Sequence, residues 1–150
     1  MTTYLIDTNI IAYLADADSP YHENVRARFH ALSQEDTVCI SILTLYELHY
    51  SLAKAAAQDT IQAIRRTKEQ LSAMLPCLPL TESGARLFGE LKMRYQQQFQ
   101  AKKPALDRAT VDLIIASTAI ATDSVLVSND ALYARIQTLW PDFKWTNWAI

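Results

Sequence analysis

Glycine is nearly absent from this chain: its 150 residues include two, Gly84 and Gly89. Both fall inside a helical pattern, so neither a phosphate-cradling P-loop nor a dinucleotide fingerprint can be built, because each needs glycines gathered on a strand-to-helix turn. A G-x-S-x-G nucleophile elbow is missing as well. Cysteine is equally scarce. Cys39 and Cys77 each lie in an apolar, strand-like run with no CxxC and no histidine at metal spacing, which predicts buried, reduced thiols in place of a disulfide or a zinc site. The three histidines, His22, His30 and His49, share no triad or metal-ligand spacing and are expected at the surface or as satisfied core groups. No apolar run approaches the roughly 18 residues of a membrane span, and the chain does not open on a basic stretch followed by an apolar one. A soluble, cytoplasmic protein with no membrane association is therefore expected.

What the chain does contain suits one globular domain over residues 1–150: half of it is hydrophobic and a fifth is charged, enough apolar material for a core and too little charge for disorder. Short apolar runs alternate with helical patterns. Strands are expected at residues 3–6, 37–40, 77–80 and 125–128, with a possible edge strand at 143–148. Helices are expected at 8–16, 21–32, 42–57, 59–75, 81–98, 110–122 and 131–139, with Ser41 and Thr81 as caps and Gln100 to Pro104 as a loop. Strands spaced by 10 to 15 helical residues predict a mostly parallel sheet covered on both faces, an α/β class.

Four acids stand out in this pattern. Asp7 closes the run Tyr4-Leu5-Ile6 and precedes a helical segment, which places its carboxylate on the turn at the carboxyl edge of a parallel sheet, where open α/β folds build ligand sites. Asp130 follows the strand ending near Ser128 in the same way. Both could also be simple helix caps. Asp112 could be a first-turn acid matched to the helix dipole if Thr110 is the cap, yet apolar Leu113, Ile114, Ile115 and Ala116 follow it. Glu47 lies between Leu43-Thr44-Leu45-Tyr46 and Leu48-His49-Tyr50, with no Lys or Arg within a turn on its face.

Two carboxylates about 4 Å apart repel by roughly 4 kcal/mol at an effective dielectric near 20, so four together would cost much of a domain's stability unless neutralised. With no basic partners near them in sequence, a divalent cation is the natural neutraliser, and oxygen-only ligands favour Mg²⁺ or Mn²⁺ over zinc. That is the donor set of a metal-dependent nuclease. The net charge of −2 also hides an asymmetry. Between Arg86 and Arg108 six bases face two acids, a local +4, which leaves −6 elsewhere. Lys102, Lys103 and Arg108 lie within ten residues of Asp112 and are candidates to grip the phosphates of a polyanion such as RNA, or else are ordinary solvated charges. Tyr46 and Tyr50 lie four apart beside Glu47 and cannot share one core with Leu45, Leu48 and Leu52, which points to a surface covered by a partner or to a helix buried on most sides.

Four blocks, Tyr4-Leu-Ile-Asp-Thr-Asn-Ile-Ile-Ala-Tyr-Leu14, Ile40-Ser-Ile-Leu-Thr-Leu-Tyr-Glu-Leu48, Val111-Asp-Leu-Ile-Ile-Ala-Ser117 and Val125-Leu-Val-Ser-Asn-Asp130, occur in this order over essentially the whole chain. In these the sequence resembles the PIN-domain family, and within it the VapC-type ribonuclease toxins of bacterial toxin–antitoxin pairs. The resemblance implies a three-layer α/β/α sandwich with a parallel sheet of four or five strands and a Mg²⁺- or Mn²⁺-dependent endoribonuclease. It places the catalytic, metal-holding acids on Asp7, Glu47, Asp112 and Asp130, the last being where members vary, and supporting polar residues on Thr8, Asn9, Ser41 and Ser128. It further implies a homodimer, a cognate antitoxin as partner, and RNA, such as tRNA or another structured RNA, as substrate. Two other readings stay open: a PIN nuclease of RNA processing with no antitoxin, and a catalytically silent binding module.

Overall fold

Alternation of inward side chains along the strands divides the core in two. The computed structural model describes residues 1–58 and 61–150. It contains five parallel strands, β1 (Thr3–Ile6), β2 (Thr37–Ser41), β3 (Cys77–Leu78), β4 (Val125–Val127) and β5 (Lys144–Thr146), in the order β3-β2-β1-β4-β5. Successive residues of a strand point to opposite faces. Leu5, Cys39 and Leu126 accordingly enter one buried cluster, while Ile6, Ile40 and Val127 enter the other.

The helices sort to these faces. α1 (Thr8–Ala15), α2 (His22–His30) and α3 (Ile42–Ala57) bring Ile10, Ile11, Val25 and Leu48 to the second cluster, and α4 (Gln62–Met74) lies against α1 and α3 without a fully buried residue. α5 (Glu82–Phe99), α6 (Lys103–Ala121) and α7 (Leu132–Leu139) bring Leu91, Tyr95, Leu113, Ala116, Tyr133 and Ile136 to the first. The result is a parallel sheet covered on both faces, as the strand and helix pattern predicts, and the three-layer α/β/α sandwich of five strands that the resemblance implies. The strand order reverses between β1 and β4, which opens a crevice at the carboxyl ends of those two strands.

Several boundaries depart from the sequence expectation. The helix expected at 110–122 begins seven residues earlier, at Lys103, so the expected 100–104 loop shrinks to Gln100, Ala101 and Lys102. Pro104 stands in the first turn, where a missing N–H costs nothing and a fixed φ suits the helix. The turn before it is made by Gln100 in the left-handed region, φ 48°. The expected 77–80 strand shrinks to Cys77–Leu78, and as a two-residue edge strand it leaves Cys77 exposed, while Cys39 is buried as expected. The helix expected at 59–75 is described over Gln62–Met74, and Asp59 and Thr60 lie outside the described residues. Ser41 and Thr81 cap α3 and α5 as expected, their hydroxyls accepting from Leu43 N and Gly84 N. Among the described residues no helix is long and apolar enough to cross a membrane.

Candidate metal and nuclease site

Asp7 follows the last residue of β1 and does two things with one carboxylate. Its Oδ1 accepts from Thr8 N at 2.8 Å and caps α1; its Oδ2 accepts from the Ser128 hydroxyl at 2.8 Å, just past the end of β4. Capping α1 thus occupies one carboxylate oxygen of Asp7, and the other meets Ser128 across the sheet. Asp7 is 7% exposed. Burial raises its pKa above the ordinary value, the Asp130 charge adds to this, and the hydrogen bonds from Ser128 and Thr8 oppose it.

The structure brings Asp7, Glu47, Asp112 and Asp130 to a single open cavity of about 360 Å³, with Thr8, Asn9, Ala12, Ser51 and Lys68 completing its lining. Asp112 is the tenth residue of α6, not a first-turn acid, so the helix dipole does not account for it. Its pKa is pushed up to about 6 by burial and by the charges of Asp7 and Asp130, against a hydrogen bond that Tyr133 donates to Oδ1 at 3.2 Å. Glu47 stands at the more exposed rim, its pKa also raised by partial burial and by Asp7 and Asp112. The Thr8 hydroxyl is near enough to favour the Glu47 anion, yet it completes no hydrogen bond and remains a buried, unpartnered oxygen on a residue of the cavity lining. Asp130 is exposed, and its Oδ1 accepts from Leu132 N at 2.9 Å at the start of α7.

The supporting residues divide. Ser128 Oγ donates to Asp7 and accepts from Asn9 Nδ2 and Asp130 N, both at 3.1 Å, so one hydroxyl ties three site residues together. Asn9 Oδ1 in turn accepts from Asn129 N. Ser41 does not reach the cavity; it caps α3, the helix that carries Glu47. Lys102, Lys103 and Arg108 do not line it either. Lys102 and Lys103 stand at the start of α6, two to three turns before Asp112, or about 13 Å along the axis for Lys103, whereas Arg108 lies one turn before it; Lys103 is paired with Asp107 at 2.7 Å.

Sequence reasoning missed Tyr133, Ser51 and Lys68. It also missed the tail that braces the site, where Asn147 Nδ2 donates to Asn129 Oδ1 at 2.8 Å and Trp145 Nε1 to Ser128 O at 3.1 Å. For Lys68 no local signal exists, because it lies 21 residues from Glu47 in sequence and meets the pocket only through helix packing.

The donor set is oxygen-only, its carboxylates raise one another's pKa, and a buried hydroxyl is left unpartnered beside them. This fits a hard divalent cation such as Mg²⁺ or Mn²⁺. Among the described residues no three acidic, histidine or cysteine side chains stand close enough to hold an ion together, so an ion here would take one or two of these carboxylates and complete its shell with water.

A family model described as the PIN domain matches residues 4–139. The chain belongs to the PIN-domain family. The match ends before β5, so the tail that braces Asn129 and Ser128 lies outside it. Among curated proteins, ribonuclease VapC2 of Rickettsia felis (strain ATCC VR-1525 / URRWXCal2) is 29% identical over 131 residues, covering 85% of this chain and 86% of that one. Among solved structures, VapBC2 from Rickettsia felis bound to a promoter DNA fragment superposes with a TM-score of 0.75 at 24% identity, covering 98% of this chain and 99% of that one. VapBC-1 from nontypeable Haemophilus influenzae gives 0.71 at 22% identity, with 99% and 100% covered. At these identities the structures establish the PIN fold.

Proposed function

We propose that this chain is a metal-dependent endoribonuclease that hydrolyses RNA phosphodiester bonds, and the toxin of a toxin–antitoxin pair. The observation that carries the reading is the convergence of Asp7, Glu47, Asp112 and Asp130, drawn from four separate places in the chain, on one cavity at the strand-order reversal. The PIN-domain match and the similarity to a protein named ribonuclease VapC2 support the nuclease and toxin parts of it. Names of solved relatives that pair a VapC with a VapB support a cognate antitoxin as partner.

When bound, Mg²⁺ or Mn²⁺ would activate water and stabilise the charge of the displaced oxygen. The chain's own part is to hold the carboxylates in place. Asp7 and Asp112 are the best-ordered candidates to hold the ion, since Ser128, Thr8 and Tyr133 fix their oxygens by hydrogen bonds. Glu47 and Asp130, at the rim, would meet the water shell of a bound ion.

Tyr46 and Tyr50 extend the reading to assembly. They are 70% and 72% exposed, whereas Thr44, Leu48 and Leu52 form the buried stripe of α3. An exposed aromatic pair one turn apart, flanking the residue at the mouth of the site, suits coverage by a second copy or by an antitoxin segment.

The test is incubation of purified protein with tRNA and with total RNA, in Mg²⁺, in Mn²⁺ and in chelator. Discrete cleavage with either ion and none in chelator is the expected result, and co-expression of a cognate antitoxin, sought as a neighbouring short reading frame that encodes a DNA-binding protein, should suppress it. Cleavage without suppression would favour an RNA-processing nuclease, and no cleavage at all would favour a silent binding module.

A further inference from the structure

Among the residues that line the acidic cavity one is basic, Lys68 on α4. Its ammonium donates to the Ser51 hydroxyl on α3 at 3.2 Å. None of the ion pairs among the described residues joins it to Asp7, Glu47, Asp112 or Asp130. A lysine facing four carboxylates would be expected to collapse onto one of them; this one is tethered to a neutral oxygen instead. Ser51 follows Glu47 by four residues on the same helix, and so lies one turn along the same face. The tether therefore holds the ammonium at the mouth of the cavity, beyond ion-pair distance from the acids, and leaves two of its three N–H donors uncommitted to Ser51.

Charge counting gives that position a use. Four ionised carboxylates carry −4, so with one divalent cation the cavity holds −2 and with two it is neutral. Neither state attracts a phosphodiester, which carries a single negative charge. Lys68 adds one positive charge in each case, and it adds it on the lining of the cavity, held by Ser51 beyond ion-pair distance of the four acids.

We propose that Lys68 is a substrate-binding residue, its ammonium aimed by Ser51 at a non-bridging oxygen of the RNA phosphate seated in the acidic cavity. The inference rests on the ribonuclease reading of the same cavity. It also separates two kinds of base: Lys102 and Lys103, at the start of α6, would meet flanking phosphates, whereas Lys68 lines the cavity and would meet the phosphate over the carboxylates.

The experiment compares wild type, Lys68→Met and Lys68→Arg in RNA cleavage with Mg²⁺ across a range of salt, together with RNA binding by fluorescence anisotropy in an Asp112→Asn background. For Lys68→Met we expect KM to rise about tenfold, the loss of one charge-assisted hydrogen bond, with a smaller change in kcat. The log–log salt dependence of binding should become shallower by about 0.7, the value of one single-strand phosphate contact. Lys68→Arg should recover most of both. If the methionine variant fails to fold, Lys68→Gln removes the charge while keeping a donor for Ser51 and carries the same test. A KM and a salt slope equal to wild type, in protein whose cleavage is still lost in Asp7→Asn, overturns this inference alone and leaves Lys68 as a tie between α4 and α3 through Ser51. Wild-type protein that neither cuts nor binds RNA overturns the ribonuclease reading and this inference with it.

Discussion

The hydroxyl of Ser128 donates to Oδ2 of Asp7 across 2.8 Å, joining residues 121 positions apart at the point where the strand order of the sheet reverses. The same oxygen accepts from Asn9 and from the backbone of Asp130. One buried hydroxyl thereby sets the distance between the acid after β1 and the acid after β4, and the proposed chemistry depends on that spacing.

Asp7→Asn is expected to reduce cleavage at least a hundredfold while leaving the fold intact, because several kcal/mol of charge stabilisation go with the metal. The Asn carbonyl can still cap α1, and removing a buried charge relieves the desolvation that raises the Asp7 pKa. Circular dichroism and melting should match wild type to within a few degrees. Asp130→Ala, at an exposed position, should cost less, and a loss equal to that of Asp7→Asn would give the rim acid the same weight as the buried one.

The metal-free protein should lose stability as pH rises. The folded-state pKa of Asp112 is about 6 against an ordinary 3.8, and that of Asp7 is raised too. Between those values the native state binds more protons than the unfolded chain, so unfolding becomes easier from about pH 4 up to about pH 6 and beyond. Melting temperatures in chelator should fall across this range. Saturating Mg²⁺ should flatten the fall, because the ion takes over the neutralising role of the protons. In chelator at pH 7, Asp112→Asn should melt higher than wild type and yet be inactive.

Tyr133→Phe tests how Asp112 is held. Tyr133 is fully buried, and its hydroxyl donates to Asp112 at 3.2 Å, favouring the anion. Phenylalanine preserves the packing and deletes that donor. The Asp112 pKa should rise further, moving the acidic limb of the pH–rate profile to higher pH, with activity at neutral pH down severalfold. A profile superimposable on wild type would remove Tyr133 from the site.

Replacing Tyr46 and Tyr50 by serine should change stability by less than about 0.5 kcal/mol, as expected of exposed positions without special contacts. It should, however, shift a dimer seen by sedimentation toward monomer or weaken antitoxin binding. A variant that assembles and is inhibited like wild type would show that α3 is not a contact surface.

Local signals carried most of the fold and of the acids. The first strand and the helix starting at Ile42 were legible because apolar runs and a serine cap mark them, and Asp7 because it stands between a strand and a helical pattern. The start of α6 was misplaced because Lys102, Lys103 and Pro104 look like a loop until the proline is read as a first-turn residue. Strand order could not be read at all, since pairing is a long-range choice. The same is true of Tyr133, Lys68 and Asn147, which meet the site from 21, 21 and 18 residues away from Asp112, Glu47 and Asn129. Tertiary packing alone brings them there.

The most direct test of the account follows Mn²⁺ binding by electron paramagnetic resonance and RNA cleavage in the same samples, for wild type and for Asp7→Asn, as Mn²⁺ is titrated and then removed with chelator. The account predicts saturable binding whose half-point coincides with that of cleavage in wild type, and the loss of both in Asp7→Asn and in chelator. Cleavage that persists in chelator, or in Asp7→Asn at the wild-type rate, would contradict it.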